Sequence, residues 1–279
     1  MKKYVNLFVF IFMVGTCFSQ NKAQTKSAVS YKNPVVDIAM PDPTVIKAAD
    51  GYFYVYATES TRNVPIMKSK DLVQWTYCNT AFTNKTRPRF EPKAGIWAPD
   101  INYINNKYVL YYAMSVWGGE QTCGIGVATA DSPQGPFTDH GKMFRSNEIG
   151  VQNSIDPSFL QYEGRNYLVW GSFRGIYVIE LTEDGLSLKP GAEKKRIAGT
   201  AFEAAYIHKH GDYYYMFASI GSCCEGIRST YKVVVGRSKK VWGPYKDKSG
   251  KPMLKNGYSL VIGANNHFVG NGHGSQIIR

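Results

Sequence analysis

Five residues recur in the same local text and carry groups that can move protons. Asp42 opens "DPTVIKAADGYFYVYAT", Asp100 opens "DINYINNKYVLYYAMS", Asp156 opens "DPSFLQYEGRNYLVWGS", Glu203 opens "EAAYIHKHGDYYYMFAS" and His273 opens "HGSQIIR". The four acids are spaced 58, 56 and 47 residues apart, and an apolar residue follows each of the five by four positions: Ile46, Ile104, Leu160, Ile207 and Ile277. Carboxyl groups gathered by a repeat repel one another, which raises the pKa of at least one. The set then divides into an ionised carboxylate that can activate water and a protonated carboxyl that can protonate a leaving oxygen. Glycoside hydrolysis with inversion needs such a pair, about 6.5–9.5 Å apart so that a water fits between them. A structural reading competes: acids at repeat positions also tie neighbouring repeats together by accepting backbone N–H bonds, and many repeat scaffolds only bind.

The elements that must position these residues are short strands. Each acid is followed by a polar turn ("AADG", "NNK", "YEGRN", "KHGD") of the kind that closes hairpins, and then by an aromatic strand. A second strand pair follows with its own recurring text: "IMKSKDLVQW", "GVATADSPQGPF", "GIYVIELTEDGLSL" and "VVVGRSKKVWGPY". Four-stranded units of about 50 residues predict an all-β propeller. Counting the unit opened by His273 gives five blades over residues 33–279, with the fifth blade incomplete at the C-terminal end. In a propeller the first strand of each blade lines the central channel. Asp42, Asp100, Asp156, Glu203 and His273 should therefore form a ring there. Trp97 and Trp117 lie near the inner strand starts, where an aromatic face can stack on a sugar, although each could equally be core.

Composition sets the wider frame. The chain has 279 residues, 44% hydrophobic, with 20 Tyr and 27 Gly, which favours strands and turns over helices. Lys2 and Lys3 precede an apolar run over residues 5–14 and the text "GTCFSQ". That pattern predicts an export signal over residues 1–20, cleaved near Ser19, since the run is too short to span a membrane. Lipid attachment at Cys17 is the lesser alternative, because Thr16 is an unusual residue before a lipidated cysteine. Four further cysteines, Cys78, Cys123, Cys223 and Cys224, show no metal-binding spacing; the adjacent Cys223 and Cys224 are either packed thiols or a vicinal disulfide. The net charge of +12 shows no Lys/Arg run interleaved with aromatics and is read as a dispersed, solvated surface, so no nucleic-acid partner is expected; an acidic polysaccharide matrix is the natural partner if the charge has a role.

The blade openings "PDPTVI", "GIWAPDI", "NSIDPSF" and "FEAAYI" resemble, in order, those of the five-bladed glycoside hydrolases of family 43, over residues 33–279. "SCCEGIRSTYKVVVGRS", "GPY" and "GHGSQI" look more specifically like the endo-arabinanases of that family. The resemblance implies an exported, inverting hydrolase of α-1,5-linked L-arabinofuranosyl units in arabinan, a pectin side chain. It implies Asp42 as general base, Glu203 as general acid, and Asp156 as the group that orients the acid and raises its pKa. Trp97, Trp117, Asn153 and Ser172 would touch sugar. Asp100 matches a position that is not catalytic, and His273 matches a histidine associated with calcium, commonly through water. An exo-acting arabinofuranosidase or β-xylosidase, and a silent sugar-binding propeller, are the alternatives. A retaining enzyme of the fructan-processing kind would carry "NDP" where this chain has "MPDP".

Overall fold

The computed structural model describes residues 30–275 and 277–278. The chain divides into two compact units, residues 1–32 and residues 33–279. Of the first, residues 30–32 are irregular, and the predicted export signal, with Ser19 and Cys17, lies outside the described residues.

The second unit is an all-β propeller. Its first sheet holds β1 (Thr44–Lys47), β2 (Phe53–Tyr56), β3 (Pro65–Ser69) and β4 (Thr76–Thr80). The second holds β5 (Gly95–Ile104), β6 (Lys107–Ser115), β7 (Gly124–Ala130) and β8 (Thr138–Arg145). The third holds β9 (Ser158–Tyr162), β10 (Arg165–Trp170), β11 (Ile176–Glu180) and β12 (Lys195–Ala198). The fourth holds β13 (Glu203–His210), β14 (Tyr213–Ile220), β15 (Lys232–Ser238) and β16 (Ser259–Ile262). Within these sheets consecutive strands pair antiparallel.

The turn chemistry read from the sequence does this work. Asn105 and Asn106 (φ 48° and 63°) join β5 to β6, and Glu163 and Gly164 (φ 49° and 72°) join β9 to β10. Positive φ at both central residues gives a two-residue turn the twist that antiparallel strands require.

The second strand of each sheet shows how the sheets hold together. Side chains alternate faces along a strand. Tyr112 accordingly packs with Tyr54, Ile66, Phe82 and Ile96 between sheets one and two. Its neighbour Tyr111 packs with Leu168, Trp170 and Ile179 between sheets two and three. Val169 then turns to Ile207, Met216 and Val234 of the fourth sheet. All of these residues are nearly or wholly buried. Large side chains removed from water on both faces of a strand are the main source of stability in such a stack.

The described residues form four sheets, where the repeat count led to five. β17 (Ile277–Ile278), the strand in the fifth repeat, founds no sheet of its own. It pairs parallel with β1, Val45 opposite Ile277 and Ile46 opposite Ile278. A two-residue strand without sisters satisfies its backbone groups on the nearest open edge. At the other end of the stack, β16 exposes Leu260 (58%), Val261 and Ile262, close in sequence to exposed Tyr258, Phe268 and Val269.

Candidate functional site

Five residues just ahead of the inner strands or at the register shifts within them share one unusual conformation: Asp42 (φ 50°), Ala98 (41°), Asp156 (57°), Ala204 (52°) and His273 (50°) are all left-handed. For residues with a Cβ this costs roughly 1–2 kcal/mol each. These positions define the true register of the repeat, and they correct the ring drawn from the acids. Asp100 falls two residues after its station, which Ala98 holds, and Glu203 falls one before Ala204.

Asp100 lies outside the cavity that gathers the other candidates, although Asp156 and His273 also reach the small one it lines. Asp100 lines a small axial cavity of about 30 Å³, where its Oδ2 accepts bonds from the Phe159 N–H at 2.7 Å and from Asn102 Nδ2 at 2.7 Å. Burial pushes its pKa up to about 7 against these bonds. It stitches the second sheet to the third. In the same way the Thr44 hydroxyl accepts from Ile101 N between the first two sheets, and Asp156 accepts from Ala204 N at 3.2 Å between the last two.

The other candidates meet. Asp42, Trp97, Trp117, Asn153, Asp156, Ser172, Glu203 and His273 all line one cavity of about 470 Å³. A larger hollow of about 570 Å³ lies among residues from the opposite ends of the inner strands, including Lys47, Tyr108, Gln161 and Lys209, but it contains no carboxylate. The chemistry therefore belongs to the smaller cavity, whose size suits a few sugar units.

The carboxylates inside it differ electrostatically. Asp42 accepts from Thr58 Oγ1 at 2.5 Å, and its Oδ1 lies 3.0 Å from His273 Nδ1. Burial opposes its charge, but the His273 cation and the bonds from His273 and Thr58 outweigh burial and hold it below the usual carboxylate range. His273 in turn is opposed by burial yet raised to about 9, chiefly by Asp42 and further by Asp156 and Glu203. Asp156 moves the other way, to about 8, because it is buried and faces the negative charges of Glu203 and Asp42. Glu203 is buried and accepts from Ser172 Oγ at 2.6 Å. Ser172 is positioned in turn by Asn153, whose Nδ2 donates to its Oγ at 2.9 Å and to its carbonyl oxygen at 3.2 Å.

An aromatic wall completes the cavity. The Trp97 and Trp117 rings lie 5.5 Å apart at 50°, and Trp117 is 78% exposed. Gly95 makes room for them, since a Cβ there would stand 2.4 Å from Trp97 Nε1. Cys223 and Cys224, thiols with Sγ atoms 2.7 Å apart, form part of the wall.

Among the lining residues that escaped the sequence reading, two bond the carboxylates directly. Thr58 lies opposite Asp42 when the β1–β2 register, Thr44 opposite Tyr56, is carried outward by two residues. Tyr231 precedes β15, whose Val233 pairs with Ser219, itself opposite Glu203. The buried Tyr231 hydroxyl bonds Glu203. Its pKa is raised far above the ordinary tyrosine value by burial first, then by the charges of Glu203 and Asp156.

Calcium takes six to eight oxygen ligands. Among the described residues there is no group of three or more His, Cys, Asp or Glu that could hold a metal ion. His273 Nδ1 is already turned to Asp42, and its backbone N–H donates to Ser219 Oγ. These side chains do not form an oxygen cage.

The family model of glycosyl hydrolases family 43 matches residues 31–278. The chain is 38% identical to an extracellular endo-α-(1→5)-L-arabinanase of Bacillus subtilis over 251 residues, covering 85% of this chain and 76% of that one. It is 35% identical to an extracellular exo-α-(1→5)-L-arabinofuranosidase of Cellvibrio japonicus, covering 84% and 74%. The solved α-L-arabinanase of Cellvibrio cellulosa superposes with a TM-score of 0.78 at 34% identity, covering 85% of this chain and 82% of that one; it is also known in complex with arabinohexaose. With its acid-lined cavity on a propeller and a family match along the whole compact unit, this chain belongs to glycosyl hydrolases family 43.

Proposed function

We propose that the protein is an exported, inverting glycoside hydrolase that cleaves α-1,5-L-arabinofuranosidic bonds in arabinan. One observation carries this reading most: the cavity holds carboxyl groups in opposed states. Asp42 is kept ionised by His273 and Thr58, while Asp156 is pushed toward its neutral form. In the scheme Asp42 takes a proton from water as the water attacks the anomeric carbon. Glu203 donates its proton to the departing glycosidic oxygen. Asp156 orients Glu203, and only above its own pKa of about 8, where it is charged, does it favour the protonated acid through like-charge repulsion. Trp97 and Trp117 offer apolar faces to sugar rings, and Asn153 and Ser172 present polar atoms beside the acid.

The arabinan substrate is supported by the names of the relatives, and export by the extracellular relatives. Among the described residues no helix is long and apolar enough to cross a membrane. A five-bladed ring is supported by the exposed apolar face of β16, which suits a further blade, and by β17 in the fifth repeat. A calcium ion at His273 would draw its oxygens from water, and no step runs through it.

Incubation with linear arabinan, debranched arabinan and xylan tests the reading, with product size read by chromatography and anomeric configuration by proton NMR. Short arabino-oligosaccharides of inverted configuration are expected. Monosaccharide alone would place the protein with the exo-acting relative. Retained configuration, or products from xylan alone, would overturn the proposal.

A further inference from the structure

The charge of the molecule is concentrated at one place remote from the cavity. Residues 237–255 contain seven Lys/Arg and one acid, a net +6 that makes up half of the chain's +12. Arg237, Lys239, Lys240, Lys246 and Lys248 line a groove of about 450 Å³ on the fourth sheet, together with Tyr213. All five cations are exposed, and none takes part in a salt bridge among the described residues. The single acid lining the groove, Asp247, is turned inward to its own turn, accepting from Ser249 N, Ser249 Oγ and Lys251 N. The Arg237 guanidinium is held 4.5 Å from the centre of the Tyr213 ring, with Lys239 Nζ at 5.8 Å from the same ring. Like charges left unpaired around a groove repel one another and are not there for stability. Their combined field attracts an extended anion.

The groove's position says what such an anion would do. Along β14, Ser219 lies opposite Glu203 and Tyr213 opposite His210, at the other end of the strand. Six residues at about 3.3 Å each put the groove roughly 20 Å from the cavity. A polymer held there leaves the cavity free.

We infer that this groove is a separate binding site for an acidic polysaccharide, a polyuronate whose regularly spaced carboxylates pair with Arg237, Lys239, Lys240, Lys246 and Lys248. The choice of a uronate rests on the proposed function, because arabinan hangs from an acidic pectin backbone. The groove would hold the backbone while the cavity works on the neutral branch.

Binding to immobilised polygalacturonate tests this without turnover. The protein should bind polygalacturonate but not its fully methyl-esterified form, and raising NaCl from about 50 to about 300 mM should release it, as screening requires. The triple variant Lys239→Glu, Lys240→Glu, Lys248→Glu should bind at least about tenfold more weakly, while hydrolysing short neutral arabino-oligosaccharides at the parent rate. The milder triple Gln variant should fall between the two, which guards against a folding artefact. Equal binding of the esterified polymer, undiminished binding of both variants, or tighter binding of duplex DNA of matched charge would overturn the inference. If polygalacturonate binds but arabinan is not cut, the proposed function fails and the groove stands.

Discussion

His273 Nδ1 and Asp42 Oδ1 stand 3.0 Å apart, joining the station that opens the last repeat to the one that opens the first. The cation keeps Asp42 ionised against burial. His273→Gln removes that charge, so the Asp42 pKa rises and the base is ionised only at higher pH. The acidic limb of the kcat/KM profile should move to higher pH; an unmoved limb would show that the pair does not tune the base.

Asp42→Asn and Glu203→Gln should each lower kcat by on the order of 10²–10⁴-fold, the usual contribution of an acid or base. Circular dichroism should be unchanged. A variant retaining near-parental turnover would remove that residue from the proposed pair.

Tyr231→Phe deletes the hydroxyl bonded to Glu203 and little else. One such bond contributes on the order of 1 kcal/mol, or roughly five- to tenfold in rate. The loss should appear in kcat with KM nearly constant, and the pH profile should shift with it. A change in KM alone would make Tyr231 a sugar contact.

Asp156 provides a stability test. Its folded pKa of about 8 lies above the unfolded value of 3.8. Between these two values the folded protein holds a proton that the unfolded chain has lost, so stability falls as pH rises through the window. Asp156→Asn mimics the neutral carboxyl and lacks that slope. Its melting temperature relative to the parent should therefore climb from pH 4 to pH 8, as read by calorimetry. A difference that stays flat across the window would mean that Asp156 is not held neutral.

Trp117→Ala should raise KM about three- to tenfold with kcat nearly unchanged, since an exposed ring contributes stacking but not proton transfer. A fall in kcat with constant KM would relocate the residue to the reacting centre.

Much of the site was legible because the repeat puts equivalent positions at equivalent heights. Asp42 and Asp156 share the same "DP" text and the same left-handed entry, and both line the cavity. Asp100 misled because a carboxylate was matched to a carboxylate, whereas the matching unit is the backbone kink, and the methyl group of Ala98 does not announce it. Thr58 and Tyr231 were hidden for a different reason. Each becomes visible only through strand register, by counting outward from Tyr56 or across from Ser219, and no local motif states that count. The propeller was legible from the four full repeats, whereas the fifth repeat is represented among the described residues only by β17, paired with β1, so the blade count is not fixed there.

The left-handed stations work as a set of addresses around the axis, and two of them carry no message. Asp42, Asp156 and His273 hold functional groups, while Ala98 and Ala204 adopt the same costly conformation with only a methyl group. An address kept without an occupant is room for invention. Glycine at either position would relax the backbone and make a sturdier scaffold. A polar side chain at Ala204, beside the small axial cavity, would add a new group to the channel while the existing trio stays where it is. The fold thus separates where a group is presented from which group it is.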